Sequence, residues 1–153
     1  MELLKLNQTP APPVCGKDET AKRVVFVCAS TEGQTSDDDA TSVADVLRDV
    51  TITRALHDGD AASAALATEV STKSGGDAPS ATSSDELENA LGEGTSAVFA
   101  SAGTIANFVA GALGTEAGLA SKLRLTRGGI TVVEFAGEGP VCLACLNYSA
   151  HLS

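Results

Sequence analysis

A chain of 153 residues with 43% hydrophobic residues is long enough for one domain with its own core, although only 3% are aromatic and Trp is missing, so Ala, Val, Leu and Ile must fill it. The formal net charge of −10 opposes the phosphate attraction behind nucleic-acid binding and disfavours anionic membranes. No apolar run approaches the roughly 18–20 residues of a membrane span, the opening MELLKLNQTPAPPV lacks the pattern of a signal or transit peptide, and the few cysteines (Cys15, Cys28, Cys142, Cys145) demand no oxidising compartment, so a cytoplasmic protein with reduced thiols is expected.

Residues 1–22 mix prolines, charges and small polar side chains and read as an extended arm, leaving residues 23–153 as a single domain. From Arg23 the run Val24-Val25-Phe26-Val27-Cys28 has the continuous apolar character of a strand covered on both faces. After a loop, Ser36-Asp37-Asp38-Asp39 offers an N-cap and acidic side chains suited to a helix start. Val43, Val46, Leu47 and Val50 then share one helical face. A short strand is expected over residues 50–53 and an Ala-rich helix over residues 60–70.

Residues 71–83, rich in Ser, Thr, Gly and Pro, predict a surface loop. Ser83 and Glu86 have capping-box spacing ahead of a short helix through Leu91. Ala97-Val98-Phe99-Ala100 reads as a strand, and Gly103 opens a helix carrying Ile105, Phe108, Val109 and Leu113. Two strands follow Gly128-Gly129, at residues 130–135 and 141–146, joined through Gly137-Glu138-Gly139-Pro140. The alternation is that of an α/β domain.

Residues 95–152 also resemble, in order and almost without gaps, the C-terminal part of branch-one histidine phosphatases, the phosphoglycerate mutase-like superfamily. There a strand ends in Ser-His-Gly-Gly, a helix starts with Thr and Ile or Val, and the chain closes on a hydrophobic strand, Asn, a small residue and His-Leu. Gly103, Thr104 and Ile105 match the helix start, and Asn147, Ala150, His151 and Leu152 the ending. The resemblance implies a three-layer sandwich around a mostly parallel sheet, reduced in its middle region.

The departures fall in the family's phosphate pocket. Against its Arg-His-Gly-Glu-Thr signature, the ungapped register puts Cys28 at the arginine, Ala29 at the histidine and Ser30 at the glycine; a gapped register instead places Glu32 at the histidine. Ser101 stands at the second pocket histidine and Ala102 at the first glycine after it. For the second phosphate-binding arginine the nearest candidate is Arg54. In the family one histidine attacks phosphorus while its neighbours neutralise phosphoryl charge, so losing the nucleophile costs about six orders of magnitude in rate and each lost charge donor about two to three more. Neither His57, in a turn-like Leu-His-Asp-Gly-Asp context, nor His151 adjoins a pocket loop in sequence.

Other readings compete. Cys28 ending a strand is similar to the nucleophile of low-molecular-weight tyrosine phosphatases, but Gln34 stands where their arginine follows, which leaves Cys28 as a buried strand-end residue. Cys142 and Cys145 have redox or zinc spacing, yet residues three apart in a regular strand face opposite ways, and a second pair is missing. Core packing is their expected role, with no metal and no cofactor. Ser101 and Thr104 with the amides near Gly103 retain a weak anion seat, or form a plain strand-to-helix turn. The vestigial pocket is therefore Cys28, Ala29, Ser30, Ser101, Gly103 and Thr104. The resemblance implies an inactive domain serving as a structural or interaction subunit with protein partners; the alternatives are a divergent phosphatase or mutase using Cys28 or Ser101 on a small phosphorylated metabolite, or a phospho-ligand binding module.

Overall fold

The computed structural model describes residues 22–30, 39–48, 50, 52–76, 78–83, 85–92, 94–115, 117–135 and 141–149. Residues 1–21 of the expected arm, residues 37–38 of the aspartate run, the gapped-register residue Glu32, the residue 136–140 connection and His151 lie outside them, while residue 22, expected to end the arm, begins the first strand.

Strand β1, Lys22–Ser30, is apolar without alternation because both its faces are covered. Val25, Val27 and Ala29 enter one buried cluster, and Val24, Phe26 and Cys28 the other. Helices α1 (Asp39–Leu47) and α2 (Ala61–Ser74) cover the first face. Helices α3 (Leu87–Ala90) and α4 (Ala102–Ala112) cover the second. The remaining strands are β2 (Arg54–His57), β3 (Ser80–Ala81), β4 (Gly94–Ser101), β5 (Ile130–Phe135) and β6 (Val141–Tyr148), and the sheet order is β3-β2-β4-β1-β5-β6. Strand β1 runs parallel to β4, β4 to β2 and β2 to β3, while β5 pairs antiparallel with both β1 and β6. The expected three-layer sandwich around a mostly parallel sheet is present.

Packing follows from this layering. Phe26 and Phe99 are wholly buried on opposite faces, and Phe108 on α4 stacks against Phe26 at 4.9 Å and Phe135 at 6.1 Å. Truncating a buried Phe costs about 3–5 kcal/mol, a substantial part of the margin of a domain this size.

Several local expectations are corrected. The strand foreseen at 50–53 forms instead at Arg54–His57, because Val50 closes α1 by donating to the Leu47 carbonyl and burying its side chain under the helix. The foreseen loop at 71–83 is part helix and part strand: α2 runs to Ser74, where Gly75 at φ 71° and Gly76 cap it through Thr72 and Ser71 carbonyls. Ser80–Ala81 then pairs with β2. A 3-10 helix, Ala117–Lys122, packs on α4 where no element was foreseen.

Strand β6 holds a further correction. Val133 pairs with Leu143 and Val132 with Cys145, so Ala144 is an extra, bulged residue. Val141 and Leu143 pack on the α4 side while Cys145 packs on the α1 side. The bulge therefore turns Cys142 and Cys145 to the same face, although regular alternation would separate them. They do not bond to each other: Cys145 is a free thiol, whereas Cys142 is disulfide-bonded rather than reduced as expected.

Candidate functional site at the carboxyl edge of the sheet

The parallel strands β2, β4 and β1 end side by side at one edge of the sheet, the place where α/β folds bind ligands. Strand β1 contributes Cys28, Ala29 and Ser30. Because Cys28 pairs with Ala100 and Ser30 with Ser101, Ala29 is bulged out of register, and its side chain is wholly buried in the cluster beneath α1 and α2. No side chain at position 29 reaches the edge. Cys28 is 1% exposed and faces α4, with its thiol 3.5 Å from the Ser30 carbonyl oxygen. Burial pushes its pKa up to about 11, against smaller opposing effects of the Ser30 backbone and the Arg127 charge. At neutral pH it is a protonated core thiol, the opposite of an activated nucleophile.

Strand β4 delivers Ser101, the N-cap of α4, whose Oγ accepts from the Thr104 N–H at 3.3 Å and lies 3.0 Å from the Thr104 hydroxyl. Gly103 is exposed, and a Cβ there would meet nothing within 4 Å, so no close backbone approach requires this glycine. Gly103 and Thr104 thus belong to a capped helix start, with Thr104 in its first turn.

The decisive side chain comes from β2. Asp58, directly after the strand, accepts the Ser101 N–H on Oδ2 and the Asp60 N–H on Oδ1, both at 3.0 Å. Burial works to raise this carboxyl, but the Ser101 amide, the Ser63 hydroxyl, the Asp60 amide and the Thr104 hydroxyl together hold it below its ordinary value. Ser63 Oγ is wholly buried and completes no hydrogen bond within 3.5 Å, so its influence on Asp58 is that of a nearby dipole. A carboxylate that is ionised at neutral pH thus sits against the positive end of α4. A phosphate about 4 Å from it would be repelled by roughly 4 kcal/mol at an effective dielectric of about 20.

His57 ends β2 at the same edge, not in a turn as its sequence context suggests. Its neighbour Leu56 packs on the α4 side, so the imidazole turns to the α1 and α2 side, where Nδ1 accepts the Gly59 N–H at 3.1 Å. Arg54 starts β2 at the opposite end and donates to the Ala90 carbonyl, so it cannot serve a pocket at this edge. On the far side of β1, the turn before β5 brings Arg127 near Cys28. This turn clasps β1: Gly128 N–H donates to the Cys28 carbonyl at 2.7 Å and Cys28 N–H to the Gly129 carbonyl at 3.0 Å. Asn147, at φ 50°, holds the turn by accepting from Thr126 N–H at 2.9 Å. Among the described residues no three His, Cys, Asp or Glu side chains gather to hold a metal ion.

Solved structures share this architecture. An α-ribazole phosphatase from Shigella flexneri aligns over 84% of this chain and 97% of its own with a TM-score of 0.66 at 12% identity. The fold is phosphoglycerate mutase-like. A phosphoglycerate mutase from Plasmodium falciparum aligns over 88% of this chain and 94% of its own, with a TM-score of 0.66 at 17% identity. A phosphoserine phosphatase from Entamoeba histolytica, in complex with 3-phosphoglyceric acid, gives a TM-score of 0.63 at 13% identity over 86% and 99% of the two chains. No protein-family model matches the sequence, and no curated protein matches it.

Within this phosphoglycerate mutase-like fold, the structure gathers Cys28, Ser30, Ser101 and Thr104 at one edge and withdraws Ala29 into the core. Sequence reasoning missed Asp58, Ser63 and Arg127. The available signal for Asp58 was the Asp-Gly-Asp string, a turn that follows strands and precedes helices. Nothing local marks Ser63 or Arg127, because their neighbours at the edge come from distant strands.

Proposed function

We propose that this chain is a histidine-phosphatase-like domain without phosphoryl-transfer activity, serving as a structural or protein-interaction subunit. The observation that supports this best is the ionised Asp58 carboxylate bonded to Ser101 at the start of α4, where a phosphatase of this fold needs positive charge. The buried, protonated Cys28 and the hydroxyl of Ser101, engaged in capping α4, supply no activated nucleophile. Resemblance to solved structures described as phosphatases and a mutase supports the scaffold half of the reading.

Two assays test it. Purified full-length chain is expected to release no phosphate from p-nitrophenyl phosphate, phosphoserine or 3-phosphoglycerate above the buffer rate. Turnover that disappears in the Ser101→Ala or Asp58→Ala variant would contradict the reading. Native protein is expected to migrate well above the 15.3 kDa of the chain, with cross-links to other polypeptides. Migration as a free monomer in its native extract would contradict the subunit role.

A further inference from the structure

A cavity lies on the α1 and α2 side of the sheet, and alanines make it. Ala55 on β2 and Ala97 on β4 are register partners and turn to this face: Ala97 belongs to the cluster under α1 and α2, and Leu56, next to Ala55, packs on the opposite side. Ala44 on α1 packs against the same cluster. Three methyl groups thus stand where branched side chains would fill the layer, and with Val50, Val70 and Phe99 they line a cavity of about 540 Å³. Protein interiors hold few voids larger than a water molecule, whereas small-molecule sites run to about 300–1,000 Å³. None of Cys28, Ser30, Asp58, Ser101 and Thr104 lines this cavity, so it is separate from the carboxyl edge.

The charges at its rim are already answered. Arg48 donates to Asp45. Lys73 stands in the last turn of α2, where a cation complements the partial negative charge of the helix end. Thr41, Ser71 and Ser74 complete the rim with hydroxyls. A charged ligand entering here gives up its hydration without gaining an uncommitted opposite charge, while a neutral hydroxyl or carbonyl group can pair with the rim hydroxyls.

We propose that this cavity is a binding site for a neutral small molecule with a compact apolar body, an aromatic or alicyclic ring system, that carries a hydroxyl or carbonyl group. The ring system lies on Ala55 and Ala97 beneath Ala44, and the polar group faces Thr41, Ser71 and Ser74. The site belongs to the α1 and α2 layer and is independent of whether the carboxyl edge transfers phosphoryl groups.

The test is a titration of full-length, isotope-labelled protein with naphthylmethanol, naphthoate and naphthylmethylammonium, which share a ring system and differ in charge. Saturable shifts of the Ala44, Ala55 and Ser71 amide resonances are expected with naphthylmethanol, at an affinity at least about tenfold tighter than with either ion. Ala55→Leu, which extends a side chain into the cavity from a half-buried strand position, is expected to weaken naphthylmethanol binding by at least about tenfold. Ala44→Leu brings similar bulk from α1 and carries the test if Ala55→Leu does not fold. The proposal is overturned by the lack of a saturable response to naphthylmethanol, or by an affinity for either ion that equals or exceeds it. Shifts centred on Ser101 and Thr104 instead, or unchanged binding in the folded variant, would overturn it as well.

Discussion

Two residues at the carboxyl edge have their protonation states set by their surroundings: Cys28, buried and protonated, and Asp58, held ionised. Cys28 is protonated because it is buried, so iodoacetamide at pH 8 is expected to alkylate Cys28 only after unfolding, as read by peptide mass mapping; rapid native labelling would show an exposed thiolate. Asp58 is ionised because the Ser101 and Asp60 amides and the nearby hydroxyls outweigh its partial burial. Its folded pKa is depressed, so the stability it contributes is present above the ordinary value of 3.8 and is lost as pH falls through the lower folded value. Asp58→Asn should accordingly lower the Tm at pH 7, and the gap to wild type should narrow steadily below pH ~3.8. A gap that is constant across this range would mean the carboxylate charge is not what links β2 to β4. Neither state is written in the local sequence: Cys28 ends an apolar run that says only that it is covered, and Asp58 reads as one acidic residue in a turn.

At the scale of elements, periodicity and capping residues made most strands and helices legible, and the failures have identifiable causes. Strand β5 and helix α4 matched expectation because their apolar patterns and their flanking glycine or serine agree. The Val-rich stretch near residue 50 misled because β-branched residues also make good helix-closing contacts, and the Gly75-Gly76 cap was hidden inside a polar stretch that looks like a loop. The β6 bulge was invisible, since nothing about Ala144 announces that it will be skipped in the pairing with β5. The turn that clasps β1 is the element most open to test. A Cβ at Gly129 would run into the Asn147 carboxamide and, at 2.8 Å, the Thr126 carbonyl oxygen. Gly129→Ala should therefore cost about 1–3 kcal/mol, seen as a lower urea midpoint with unchanged slope. A neutral result would show that Asn147 and the Thr126–Gly129 turn yield without loss, and that β1 is not held by them.

The whole molecule combines a phosphoglycerate mutase-like fold with an ionised carboxylate at the carboxyl edge of its sheet. Architecture was readable because the order of strands and helices, with the C-terminal resemblance, restricts the topology, while the site was only half readable because Asp58, Ser101, Cys28 and Arg127 come from four segments that only the sheet order brings together. Of the positions named from the resemblance, Ser30, Ser101, Gly103 and Thr104 lie at one edge of the sheet, while Cys28 and Ala29 are buried on opposite faces of β1. On the proposed reading, the Asp58 carboxylate bonded to Ser101 at the start of α4 is what sets this edge apart from a phosphoryl-transfer site. The most direct measurement is a trapping experiment: the full chain is mixed with labelled phosphoglycerate or phosphoserine, quenched in alkali, and analysed for base-stable, acid-labile phosphohistidine. The account predicts no label above that of denatured protein. Near-stoichiometric label mapped to His57 or His151 would contradict it.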